Sequence, residues 1–122
     1  MEVAIKANGR AGAIRPVWTS GPQEAPDGFA IARSGNVYLA LLGPTTNQVV
    51  VLSRAGHELG RYPSAAQNAR LMVPFDAPSS AVFHGDRLLI TNSSFYAADR
   101  RHQVILSVDA GEPGLAPFVP PS

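Results

Sequence analysis

The polar chemistry in the second half of this chain gathers around one stretch, Ser93–Arg101, with Asn92, Tyr96, Asp99, Arg100 and His102 in or beside it. In the first half one acidic residue stands out, Asp27, set between Pro26 and Gly28. A carboxylate can ligate a hard cation or accept a proton, and amide, phenol and guanidinium groups can hold a hydroxyl-rich ligand. From its local sequence alone, Asp27 is a turn aspartate that caps its own backbone before Gly28. His102 has no second histidine or acid at metal-ligand spacing, and His57 and His84 fall in turns expected at the surface. Ser79-Ser80 and Ser93-Ser94 lie in no Gly-x-Ser-x-Gly elbow, and no Ser-His-Asp order can be assigned around them. No glycine-rich loop for phosphate is present. There is no cysteine, so disulfides and thiolate metal sites are excluded.

The elements that must position these residues read as short strands. Gly28–Ala32 alternates, with Phe29 and Ile31 on one face. Arg33-Ser34-Gly35-Asn36 is a tight turn, and Val37–Leu42 is a strand apolar on both faces, as expected between two neighbouring layers. Val49–Ser53 and the polar Glu58–Tyr62 follow, separated by Arg54-Ala55-Gly56-His57. Ala65–Leu71 reads as a helical turn or insertion, and Val73–Pro78 as a Pro-interrupted connector. The pattern then restarts at Ala81-Val82-Phe83, with further strands at Arg87–Asn92 and His102–Val108. At the N-terminus, Glu2–Lys6 alternates weakly, Asn8-Gly9-Arg10 turns, and Pro16–Thr19 is expected to be a short outer strand. The two strand starts, near Gly28 and Ser80, are about 50 residues apart, a blade-like repeat. By strand alternation, the loops Leu42–Asn47 and Ser93–Arg101 lie on the same side as Asp27.

Composition agrees with an all-β domain. The 11 glycines and 11 prolines spread through 122 residues punctuate short strands better than long helices. With 45% hydrophobic and 16% charged residues, the chain can build a core. A net charge of +1 gives no electrostatic case for nucleic acid or for a membrane surface. No apolar run of signal-peptide or spanning length is present, so the chain as written is expected in the cytoplasm; a leader preceding Met1 would escape this test. A small β-sandwich is the competing all-β architecture.

Pro26-Asp27-Gly28-Phe29-Ala30, Ser34-Gly35-Asn36-Val37-Tyr38 and Gln48-Val49-Val50-Val51-Leu52, in that order, resemble a late blade of the gluconolactonase and regucalcin-like (senescence marker protein) family. Val108–Leu115 is similar to the closing segment of those proteins, and Ile5–Trp18 to the outer strands of the preceding blade. The resemblance implies an antiparallel β-propeller of four-stranded blades, of which this chain would hold about two and a half out of six. Residues 1–20 would be outer strands of one blade, 21–62 a complete blade, and 63–122 the final blade and closing segment. It further implies a C-terminal portion of a sugar-lactone hydrolase with a calcium or zinc ion in the central tunnel. The aspartate of the family's Pro-Asp-Gly motif matches Asp27, as metal ligand or general base. The family's glutamate and asparagine ligands have no counterpart here, so the chain alone is expected to be inactive and to hold no metal stably.

The dication in such enzymes polarises the lactone carbonyl and activates water. On the same implication Asn92, Tyr96, Asp99, Arg100 and His102 would line the tunnel mouth and contact the sugar-like substrate. Uncovered blade faces, with Val37–Leu42 and Leu88–Ile90 partly exposed, would drive self-association. A non-catalytic propeller piece, or part of a strictosidine-synthase-like or paraoxonase-like propeller, remains the alternative, because architecture alone does not choose the chemistry.

Overall fold

The computed structural model describes residues 1–116 and Val119. Most of the Pro-rich tail expected at the C-terminus lies outside them. The fold is all-β, with three antiparallel sheets. A hairpin pairs β1 (Glu2–Ile5) with β2 (Ala11–Arg15). A four-stranded meander orders β3 (Pro26–Ile31), β4 (Val37–Leu41), β5 (Gln48–Leu52) and β6 (Glu58–Tyr62). A three-stranded meander orders β7 (Pro78–His84), β8 (Arg87–Asn92) and β9 (Val104–Asp109). One helical turn, α1 (Ala65–Asn68), closed by a Ser64–Gln67 capping box, joins the two meanders.

Two expectations about strand number and limits need correction. The second strand of the N-terminal hairpin is Ala11–Arg15, not Pro16–Thr19. Pro16 carries no N–H and cannot extend a ladder. Val17 and Trp18 instead turn onto the larger sheet, where the Val17 carbonyl sits against Gly56 and Trp18 packs on Leu41, Val50 and Leu52. The four-strand unit is complete in one sheet only, because the last meander stops at three strands.

The two meanders stack as a wedge. Their core draws on Ala30, Ala32, Tyr38 and Val49 from one sheet and Ala81, Leu88 and Ile90 from the other, with Phe75 beside them. Small residues mark the narrow side. Alternation along β3 turns Ala30 and Ala32 inward, and Gly28 lies so close to β7 that an added Cβ would fall 2.7 Å from Ser80 Cα and 2.8 Å from the Ser79 carbonyl oxygen. Larger side chains fill the rest of the space between the sheets: Tyr38, Leu88, Ile90, and the half-buried Phe83, Leu106 and Val108, with Phe83 of β7 packed edge-on against Tyr38. Leu88 and Ile90 are therefore covered, contrary to the exposure expected of them.

The opposite face of the four-stranded sheet carries Phe29, Ile31, Val37, Leu39, Leu41, Val50 and Leu52 by the same alternation. Trp18 covers its β5 side, where Leu41, Val50 and Leu52 are buried. Its β3 side is open, leaving Phe29 57% and Ile31 39% exposed. The result is a cleft of about 840 Å³ walled by Phe29, Ile31, Val37, Leu39 and Trp18.

At the end of the sheets away from Asp27, the segment after β9 straps back across the molecule. Gly114 bridges to Ala32 on the β3 edge, and the Leu115 N–H donates to the Ile31 carbonyl (2.9 Å). Glu112 fastens this strap. Its Oε1 accepts from Asn36 Nδ2 and from the Tyr38 hydroxyl, each at 2.9 Å. Burial pushes the Tyr38 hydroxyl up to about 12, helped by the Glu112 carboxylate. Burial also raises the Glu112 carboxyl, but hydrogen bonds from Ser34, Asn36 and Tyr38 outweigh it and hold the group below its usual value. A depressed acid contributes stability above its unfolded value and loses it as pH falls through the folded one. The strap is therefore expected to loosen as pH drops below the ordinary carboxylate range, about 4. Amide hydrogen exchange at Arg33 and Leu115 should quicken there relative to the core strands, and Glu112→Gln should remove most of that local pH dependence. Unchanged protection at these two amides down to pH 3 would contradict the latch.

Candidate functional site

Asp27 occupies the second position of β3, exposed, at the rim of the open cleft. The loop that delivers it is fixed by charge. Arg61 on β6 bonds both Glu24 and Glu58, and Glu24 Oε2 accepts from the Gly21 N–H (2.8 Å). The Arg61 hydrogen bond holds the Glu24 carboxyl below its usual value, with burial opposing it. The Ala25 carbonyl accepts from Leu42 N, so the entry to β3 and the exit from β4 are locked together. Among the described residues, no side-chain hydrogen bond engages the Asp27 carboxylate.

Strand pairing places the expected loops on the Asp27 end. Pro26 pairs with Leu41, Leu41 with Gln48, and Pro78 with Asn92. Asn47 Oδ1 accepts from Ala77 N (2.8 Å) and ties the two meanders together there. This end also concentrates backbone strain. Gln23, Ala77, Ser94 and Ala98 all have positive φ without being glycine, whereas Gly35, Gly56, Gly85 and Gly111 take that conformation in the turns at the opposite end. Non-glycine residues held at positive φ collect where the surroundings impose a geometry, commonly at ligand sites. Ala98→Gly should accordingly raise stability by up to about 1 kcal/mol in urea titration, since the glycine adopts φ 52° without penalty.

The residues singled out in the second half separate into two groups. Asn92 and His102 come together in a buried polar knot. Asn92 is 1% exposed; its Oδ1 accepts from Asp76 N (2.7 Å), and its Nδ2 donates to the Pro74 and His102 carbonyls (2.9 and 2.8 Å). Every polar atom of this amide is engaged by backbone, so Asn92 holds the loop and does not reach the surface. His102 Nδ1 lies 2.9 Å from Asp76 Oδ2, and its Nε2 lies 3.8 Å from Asp99 Oδ2. Ser94 is fully buried; its hydroxyl donates to Asp76 Oδ2 (2.7 Å) and accepts from Asp99 N (2.9 Å). Because Ser94 bonds Asp76 and not the imidazole, the three groups are not arranged for nucleophilic attack. Asp99 caps the short 3-10 turn Arg100–His102, and Arg101 holds its carboxyl far below the usual range.

Tyr96 and Arg100 form the second group. Both are exposed, and Tyr96 stacks edge-on against Phe95 with ring centroids 5.2 Å apart. The Ala98 N–H to Ser94 carbonyl bond (2.8 Å) closes the turn that presents them. Sequence reasoning missed Asp76 and Ser94 as members of the knot. The one local signal was Asp76 standing two residues before a strand-opening proline, Pro78, as an anchor for the adjacent loop.

Asp27 is not hydrogen-bonded to either group, and no three His, Asp or Glu side chains converge as a metal cage among the described residues. Nor does any helix there have the length and apolarity to cross a membrane. The chain matches no protein-family model and no curated protein sequence.

Proposed function

We propose that this chain is the C-terminal part of a divalent-metal-dependent sugar-lactone hydrolase, about two and a half blades of a six-bladed β-propeller. The observation that carries the reading is the open apolar face of the β3–β6 sheet with Asp27 at its rim. Two sheets already stack as a wedge about β3 and β7, as blades do around an axis. The free face offers Phe29, Ile31, Val37 and Leu39 to one further sheet, and the β1–β2 hairpin stands in sequence where that sheet's outer strands belong.

The residues present do not make a calcium or zinc site by themselves. Asp27 supplies one carboxylate, and a hard cation needs several oxygen ligands. The remaining ligands belong to the blades that would cover the open face. Tyr96 and Arg100 are the exposed groups at the same end that suit a hydroxylated lactone. A second reading, a non-catalytic propeller piece used for binding, is favoured by the saturated hydrogen bonding of Asn92, which leaves that amide no capacity for a ligand.

Calorimetric titration tests the assignment of Asp27. The isolated chain should show no saturable calcium or zinc binding. A micromolar site that disappears in Asp27→Ala would instead mean that the chain completes the site by self-association. The reading frame upstream of Met1 should encode further blades, and a stop codon directly upstream would contradict the proposal.

A further inference from the structure

We propose that Asn8-Gly9, at the tip of the β1–β2 hairpin, is a self-modifying site, where the chain converts its own asparagine to aspartate and isoaspartate with water as the co-reactant. The proposal is independent of the lactonase reading. The Gly9 backbone nitrogen loses its proton and attacks Asn8 Cγ. A new N–C bond closes a five-membered succinimide, the bond from Cγ to Nδ2 breaks, and the amide nitrogen takes up a proton and leaves as ammonia. Water then opens either imide carbonyl. One opening leaves aspartate at position 8. The other leaves isoaspartate, in which the main chain runs through the former side-chain carbon. The ring closes most readily where glycine follows, because no Cβ shields the attacking nitrogen or restricts the backbone.

The chain has five asparagines, and the fold sets Asn8 apart from the other four. Asn36 Nδ2 donates to Glu112 Oε1, and Asn47 Oδ1 accepts from Ala77 N. Asn68 and Asn92 each bond backbone through both amide atoms. The residues that follow these four, Val37, Gln48, Ala69 and Ser93, all carry a side chain beside the nitrogen that would attack. Asn8 is exposed, and among the described residues its Nδ2 makes no hydrogen bond. Asp27-Gly28 offers the same following glycine, but there Gly28 is wedged against Ser79 and Ser80 within a paired strand.

The hairpin geometry favours the reaction. The Arg10 N–H donates to Asn8 Oδ1 (3.1 Å), the oxygen on which negative charge develops as the nitrogen adds. That bond spans two residues and does not depend on the strand ladder. The Gly9 N–H donates to the Lys6 carbonyl (2.8 Å), so the nitrogen is freed when the turn opens. Opening is cheap. β1 and β2 pair only with each other, β1 and the turn are exposed throughout, and a two-stranded hairpin is marginal in water. Nothing lies within 4 Å of a Cβ built on Gly9, so the closing ring has room. The product alters the molecule. The new carboxylate lowers the formal net charge of +1 by one unit. Isoaspartate also adds a methylene to the backbone inside the turn that the Lys6–Arg10 and Gly9–Lys6 bonds close, which unzips the hairpin.

Incubating the folded chain at neutral pH and mapping its tryptic peptides by mass over time tests this. The peptide Ala7–Arg10 should gain the mass of an amide-to-acid exchange at least tenfold faster than any peptide holding Asn36, Asn47, Asn68 or Asn92. Isoaspartyl methyltransferase with S-adenosylmethionine should methylate the aged chain, and hydrogen exchange at Lys6 and Gly9 should quicken in the methyl-accepting fraction. Asn8→Gln, which would have to close a six-membered ring, should stay unmodified at position 8 and accept no methyl group. The folded chain should react at Asn8 within about tenfold of the rate of the guanidinium-unfolded chain, as expected for a hairpin that opens readily. An Asn8 that stays intact in the folded chain but reacts once unfolded would overturn the proposal. So would modification that reaches the other asparagines at the same rate.

Discussion

Gly28→Ala will lower the stability of the chain by about 2–3 kcal/mol, as expected for forcing an extra carbon into a packed contact. For a domain of this size that is a fall in melting temperature on the order of 10 °C. The new methyl would meet Ser80 Cα at 2.7 Å and the Ser79 carbonyl oxygen at 2.8 Å, both backbone atoms that no rotamer change can move. Relief requires β3 and β7 to separate, and they are the strands along which the wedge closes. Gly60→Ala is the matched control, because nothing lies within 4 Å of an added Cβ there. It should leave stability unchanged or raise it slightly by restricting the unfolded chain. If the two alanines behave alike in thermal unfolding, the close approach of the two sheets is wrong.

Asn92→Ala will cost about 3 kcal/mol, because it strands three partly buried backbone groups and not merely one side chain. The Asp76 N–H and the Pro74 and His102 carbonyls all lose their partner. The damage should concentrate in the segment from Ser93 to Gln103, where Ser94, Asp99 and His102 depend on one another and on Asp76. Hydrogen exchange should show that segment opening well before the β3–β6 sheet. Asn92→Asp should be nearly as harmful, since a carboxylate cannot donate to the two carbonyls. A stability loss under 1 kcal/mol with unchanged loop protection would return Asn92 to the role of a surface group.

Strands bounded by turn residues were legible from sequence. Glu58–Tyr62 and Arg87–Asn92 have the expected limits because Gly56 and Gly85 supply the turns before them and alternation supplies the faces. The hairpin strand Ala11–Arg15 was not, because Ala and Gly give weak strand signals while Val17 and Trp18 give strong ones for a segment that packs without pairing. The Glu112 latch was invisible for a different reason. Its partners Asn36 and Tyr38 lie more than 70 positions away, and no local pattern reports a contact made by stacking sheets. At the candidate site, the grouping of Asp27 with the two loops followed from strand direction alone. The inward turn of Asn92 did not, because Asn92 ends its strand, where the side chain can serve either the loop or the solvent.

Lactone hydrolysis tests the central claim most directly. The longest polypeptide encoded in frame with this chain, loaded with calcium or zinc, should open D-glucono-δ-lactone with measurable proton release. A chelator should abolish the reaction, restoring metal should recover it, and Asp27→Asn should reduce it at least a hundredfold while the protein remains folded. Turnover that is indifferent to the chelator and to Asp27→Asn, or no turnover by a folded, metal-loaded protein, would contradict the assignment of Asp27 to a metal-dependent lactonase.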